Sequence, residues 1–166
     1  MEENGKIVLL MRHAKSSWKQ PYPDFDRTLK KRGKRDAKNV ANRLKELNII
    51  PNLIYSSPAK RAIKSAKIVA KNLNISNIKE DITLYEGDEN SILKKIKNLD
   101  EKYNKVLVVS HNPTISNLAY LLSKDKSFFD MPTAAIIAFE FKGKWKDLSF
   151  HSLNRLFTII PKELRE

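Results

Sequence analysis

Apolar positions along this chain fall into two rhythms. Short uninterrupted apolar runs predict strands buried on both faces, as in parallel sheets. Apolar residues recurring at three- and four-residue steps predict amphipathic helices. The first run, Ile7-Val8-Leu9-Leu10-Met11, stops abruptly at Arg12-His13. Ala14 to Phe25 contains Ser16, Ser17, Pro21 and Pro23 and reads as a loop. From Lys34 to Leu47, Ala37, Val40, Ala41, Leu44 and Leu47 form a helical stripe, and Asn48 to Asn52, with Pro51, turns the chain out of it.

Leu53-Ile54-Tyr55-Ser56 is a second strand. Ser57-Pro58 has the form of an N-cap followed by a helix-starting proline, and the stripe Ala62, Ile63, Ala66, Val69 and Leu73 carries that helix onward. Ile75 to Leu84 alternates and predicts a strand, Tyr85-Glu86-Gly87-Asp88 reads as a loop, and Ser91 to Leu99 reads as a short helix. Lys105 to Ser110 is the clearest strand; it ends at His111-Asn112-Pro113, before a helix from Thr114 to Leu122. Ala134 to Phe141 and Leu148 to Leu153 predict an antiparallel pair around Gly143, and the segment with Pro161 reads as a short tail. Alternating strands and helices predict an α/β fold with a largely parallel sheet. No linker or repeat divides the chain, so residues 1–166 are expected to form one domain.

Composition narrows the chemistry. Hydrophobic residues make up 41% and mean hydropathy is -0.50, as expected of an ordinary globule rather than a disordered or membrane-embedded chain. The absence of cysteine excludes disulfides, thiolate catalysis and cysteine-ligated metal, and fits a reducing cytoplasm. Glu2 and Glu3 precede an apolar run too short for a secretion signal, and no stretch is long enough to span a bilayer. The net charge of +13 would suit nucleic acid, anionic membrane or phosphate-bearing substrates. The lysines are spread over the whole chain rather than gathered in an arm or patch, which favours solvated faces with anion steering as a side effect.

Three strand ends carry Arg12 and His13, Arg61, and His111. Ligands of open α/β sheets bind beyond the carboxyl ends of the strands, and the helix start that carries Arg61 suits an anion as well. Taken singly, each of these residues has an ordinary reading: a solvated strand end, a surface arginine, a buried histidine. Together they would make a pocket for a tetrahedral dianion, since a guanidinium matches two phosphate oxygens. At contact distance each unit charge is worth roughly 4 kcal/mol at an effective dielectric of 20. Neutral imidazole is a competent nucleophile toward phosphorus. Two histidines among arginines make a poor metal site, so no metal or cofactor is expected. His151 matches no motif and reads as structural. Asp26 and Arg27 read as a local ion pair, while Trp18 and Tyr85 suit either the mouth of a pocket or the cover of the core.

Arg12-His13 after a buried strand, Ser56-Ser57-Pro58-Ala59-Lys60-Arg61-Ala62 and Val109-Ser110-His111-Asn112-Pro113 resemble the motifs of the histidine phosphatase superfamily. Met11-Arg12-His13-Ala14-Lys15-Ser16-Ser17-Trp18, Asp26 to Gly33, Leu84-Tyr85-Glu86 and Pro132-Thr133-Ala134-Ala135 are similar to its SixA-type phosphohistidine phosphatase branch. The resemblance runs from about Lys6 to beyond Phe141. It implies a three-layer fold with helices on both faces of the sheet. It further implies His13 as the nucleophile that becomes phosphorylated, Arg12, Arg61 and His111 as binders of the phosphoryl oxygens, and Glu86 as a proton donor. Ala14 and Lys15 stand where larger members commonly have glycine and glutamate, which argues against a mutase.

The expected function is a metal-independent phosphatase acting on phosphohistidine in proteins or on a small phosphorylated compound. A basic nucleic-acid-binding module and a catalytically silent scaffold are the alternatives. The spread of the lysines speaks against the first, and the intact Arg12, His13, Arg61 and His111 against the second. No nucleic-acid or membrane partner is expected. Phosphatase activity would survive a chelator, whereas nucleic-acid binding would fall steeply with salt.

Overall fold

The computed structural model describes residues 5–18 and 22–165. The sequence readings on Glu2, Glu3 and Pro21 fall outside them. The strands are β1 (Gly5–Arg12), β2 (Leu53–Ser56), β3 (Ile78–Glu80), β4 (Lys105–Ser110), β5 (Ile136–Lys142) and β6 (Asn154–Ile159). They form one sheet in the order β3-β2-β4-β1-β5-β6. The first four in that order are parallel; β5 runs antiparallel to β1, and β6 antiparallel to β5.

Both faces of the sheet are covered, so β1 has no polar alternation. Ile7, Leu9 and Met11 pack with Ala37, Val40 and Leu44 of α1 (Lys31–Glu46) and with Ala66 and Val69 of α2 (Lys60–Leu73). Val8 and Leu10 pack on the other side, with Ile92 and Ile96 of α4 (Glu89–Lys97) and Ile115 and Leu118 of α5 (Thr114–Leu122). A one-turn helix, α3 (Thr83–Glu86), precedes α4. The fold is thus a single-domain, three-layer α/β sandwich. None of its helices, among the described residues, is long and apolar enough to cross a membrane.

Register sets the site. Arg12 lies level with Ser110, and Ser56 with Val109, so β1, β4 and β2 end together. The next peptide of each strand extends this edge: His13 N–H donates to Ser110 O (3.1 Å) and Ser57 N–H to Val109 O (3.0 Å).

Four local readings are corrected. The strand expected over Ile75 to Leu84 is only Ile78–Glu80, because Asp81 accepts the Thr83 N–H at 2.9 Å and turns the chain into α3. Ser57-Pro58 does not cap α2, which starts at Lys60 after an Ala59 cap; Ser57 Oγ instead accepts the Ala59 N–H and meets His111. Leu148 and Leu153 are buried core residues flanking no strand of their own, and the partner of β5 begins at Asn154. The tail is built in: β6 leads to a turn at Pro161–Leu164, and Arg165 pairs at 2.8 Å with the buried Asp36 of α1.

Candidate active site

His13 follows β1 directly and is buried, with its ring fixed from two sides. Nδ1 lies 2.8 Å from the Ala14 carbonyl oxygen, which can only accept, so Nδ1 carries the proton. The other nitrogen, Nε2, keeps its lone pair and accepts from Arg61 Nε–H at 3.3 Å. Burial lowers the ring's pKa to about 3; the bond to Ala14 opposes this, and the neighbouring His111, Arg61 and Arg12 add to it. The imidazole is therefore neutral near pH 7.

His111 follows β4, and its ring centroid lies 5.1 Å from that of His13. Burial, then the charge of Arg61, lowers its pKa to about 4. Its Nε2 is 2.8 Å from Ser57 Oγ, and its Nδ1 is buried with no partner among the described residues. The same holds of Arg12 Nε, while Arg12 Nη1 donates to Met131 O at 3.0 Å. Buried polar atoms normally find partners, so these two nitrogens leave hydrogen-bonding capacity unspent at the site.

Arg61 is buried in the first turn of α2. Its Nη1 donates to Asp24 O (2.6 Å) and its Nη2 to Asp24 Oδ2 (3.0 Å). Asp24 also accepts from Tyr85 Oη at 2.8 Å and from Arg27 Nη2 at 3.2 Å. Burial works to raise the Asp24 pKa, but the bonds from Tyr85 and Arg61 outweigh it and hold the carboxyl at about 2. Arg27, itself buried, reaches Ser16 Oγ at 2.6 Å and lies 3.5 Å from the centre of the Trp18 ring.

These side chains line one open cavity of about 680 Å³, with Arg12, His13, Asp24, Arg61, Tyr85 and His111 on its walls. The structure brings together four of the five residues picked from the sequence. The fifth, Glu86, is exposed at the end of α3 and is not on the cavity wall. Its neighbour Tyr85 takes that place, because Ser110 Oγ donates to Leu84 O at 2.7 Å and fixes α3 against β4. Arg27 pairs with Asp24 rather than with the expected Asp26.

Sequence reasoning missed Asp24, for which only its place three residues before Arg27 was a signal. It also missed Ser65, one turn after Arg61, which accepts the Ala14 N–H at 2.9 Å and donates to Arg61 O at 2.7 Å. That serine ties the loop after β1 to the helix that carries Arg61. Gly33 completes the support: a Cβ there would lie 2.2 Å from the Lys15 carbonyl oxygen. Among the described residues no cluster of three His, Asp or Glu side chains is placed to hold a metal ion.

A covered α/β sheet with two arginines and two neutral imidazoles converging at one edge defines a phosphoryl-transfer hydrolase of the histidine-nucleophile class. Residues 8–90 match the model of the histidine phosphatase superfamily (branch 1). The chain belongs to that superfamily and is a phosphatase. The structure of the protein histidine phosphatase SixA complexed with tungstate superposes with a TM-score of 0.83 at 23% identity, over 96% of this chain and 99% of that one. At that identity the likeness is one of fold. An uncharacterised Mycobacterium leprae protein is 29% identical over 92% of this chain and 100% of its own length. Phosphoserine phosphatase 1 of Hydrogenobacter thermophilus is 38% identical over 45% of this chain and 36% of its own length.

Proposed function

We propose that this phosphatase removes the phosphoryl group from phosphohistidine in proteins, through a metal-independent, two-step reaction at His13. The observation that carries the mechanism is the fixed tautomer of His13. With Nδ1–H committed to the Ala14 carbonyl, the Nε2 lone pair is presented to the cavity beside Arg61.

In the first step the Nε2 lone pair attacks phosphorus, and the bond to the leaving nitrogen breaks with its electron pair. In this reading Arg61, Arg12 and His111 hold the phosphoryl oxygens as charge redistributes. Because Nδ1 keeps its proton, phosphorylated His13 is a phosphoimidazolium. In the second step water attacks phosphorus, the P–N pair returns to Nε2, and the water protons leave on the phosphate. His13 is then neutral again, with the tautomer it started from.

The open mouth supports a protein-borne substrate: Lys15 and Lys30 on its rim are exposed, and Trp18 is 74% exposed. The SixA likeness, to a protein described as a histidine phosphatase complexed with the oxyanion tungstate, points the same way. A second reading, a small-molecule phosphomonoesterase, draws support from the likeness to a phosphoserine phosphatase. The test offers the purified chain a phosphohistidine protein, phosphoserine and p-nitrophenyl phosphate, each with and without chelator. Hydrolysis fastest on phosphohistidine and unaffected by chelator is expected. Preference for phosphoserine establishes the second reading, and a requirement for metal overturns the mechanism.

A further inference from the structure

We propose that Asp24 is the specificity-determining residue of this site, accepting the ring N–H of a leaving imidazole and so favouring phosphohistidine over phosphate esters. The inference rests on the substrate reading above. It begins from Arg61, whose Nε donates to His13 Nε2 at 3.3 Å and whose Nη2 donates to Asp24 Oδ2 at 3.0 Å. Nε and Nη2 form one edge of the planar guanidinium, the edge that engages a pair of phosphate oxygens. The reacting nitrogen and the carboxylate oxygen are therefore held side by side.

In the proposed complex a phosphoryl oxygen takes the place of Asp24 Oδ2 on that edge, and the freed carboxylate oxygen turns to the leaving group. The carboxylate is not lost, because Arg27 holds its Oδ1 through Nε (3.3 Å) and Nη2 (3.2 Å). The charged and titratable groups facing it are Arg61 from α2, Tyr85 from α3, His111 after β4, and Arg27 from its own loop. Tyr85 and Trp18 line the same cavity and offer aromatic walls to a flat, cationic ring.

An ionised carboxylate is the wrong group for an ester. The bridging oxygen of a phosphomonoester has no proton to donate, and a carboxylate has none to give an alkoxide. Burial would raise the Asp24 pKa, but the bonds from Tyr85 and Arg61 outweigh it and hold the carboxyl at about 2, so it is not a reservoir of protons near pH 7. A phosphorylated imidazole is different. Protonated on its distal nitrogen, it leaves as neutral imidazole with no proton transfer in the step: the P–N bond breaks, its pair goes to the ring, and the distal N–H stays in place. Asp24 stabilises that N–H. The Ala14 carbonyl does the same for His13 at 2.8 Å, so attacking and departing rings are held in matching protonation states.

The experiment measures kcat/KM of the full chain and of Asp24→Asn on a phosphohistidine peptide and on p-nitrophenyl phosphate, whose leaving group needs no proton. Asn keeps the shape and an acceptor for Arg61 but loses the charge. The expected result is a fall of roughly 10- to 100-fold on phosphohistidine, the size of one charge-assisted hydrogen bond. The ester rate should fall far less, so the preference for phosphohistidine over the ester drops in the variant. The alkaline limb of kcat on phosphohistidine should also move to lower pH in the variant, because the bound ring no longer has an anion favouring its protonated form. Equal losses on both substrates, with no movement of the pH limb, would show that Asp24 only positions Arg61 and would overturn the inference alone. A wild-type chain that hydrolyses the ester and ignores phosphohistidine overturns the substrate reading and this inference with it.

Discussion

His13 and Arg61 stand 48 positions apart in the chain and meet nitrogen to nitrogen at 3.3 Å, with Arg61 Nε donating to His13 Nε2. This one contact sets the Nε2 lone pair of His13 beside a fixed positive charge. It exists because β1 and β2 flank β4 and end level with it. The parallel register is thus the cause of the site.

If Arg61 holds the transferring group, Arg61→Ala should lower kcat/KM on the order of 10²-fold or more, as loss of a single oxyanion donor does elsewhere. Arg12→Ala should cost a similar factor. Steady-state kinetics with the wild-type fold confirmed by circular dichroism checks both, and losses below about threefold would remove the residue from the site.

Stability should depend on pH through the two site histidines. Their folded pKa values, about 3 for His13 and about 4 for His111, lie below the unfolded value of roughly 6.5. Between those limits the unfolded chain binds more protons, so stability is complete above about pH 6.5 and is lost as pH falls toward the folded values. Asp24 and Asp81, held at about 2, add the same sign only below about pH 4. Thermal melts should therefore drop steadily from pH 7 to 4.5, and the drop should shrink in His13→Asn. An unchanged slope in that variant would contradict the burial argument.

Gly33→Ala should damage both fold and activity. The added Cβ meets backbone, at 2.2 Å from Lys15 O and 2.9 Å from Lys15 N, and backbone cannot swing aside as a flexible side chain would. Lys15 follows Ala14, whose carbonyl sets the His13 tautomer. Destabilisation of about 1–3 kcal/mol is expected by denaturant titration, in the range of overpacked sites, together with a loss of kcat.

Glu86→Gln should change kcat/KM by less than about twofold on any substrate, because Glu86 is exposed and off the cavity wall. A selective loss on poor leaving groups would restore it as the proton donor.

Much of this was legible in the sequence, for identifiable reasons. Arg12, His13 and His111 directly follow apolar runs and Arg61 sits just past a strand end, so the pattern alone put all four at one edge of the sheet. The two-sided burial of β1 follows from its unbroken apolar run, and the layering follows from that. What was hidden depended on tertiary contact. Asp24 lies in a loop whose path is set by bonds from Arg27 and Arg61, neither of which is local to the apolar pattern. Tyr85 and Glu86 are adjacent, and only the Ser110 bond to Leu84 O decides which of the two reaches the cavity. Leu148 and Leu153 looked like strand residues because core burial and strand pairing leave the same apolar mark.

The most direct test is to find where the phosphoryl group goes. Rapid quenching of the enzyme with a phosphohistidine peptide, followed by mass spectrometry under conditions that preserve P–N bonds, locates the covalent intermediate. The prediction is a single phosphoryl group on Nε2 of His13 in the wild-type chain, and neither label nor turnover in His13→Ala. A label on His111, or turnover that persists in His13→Ala, would contradict the account.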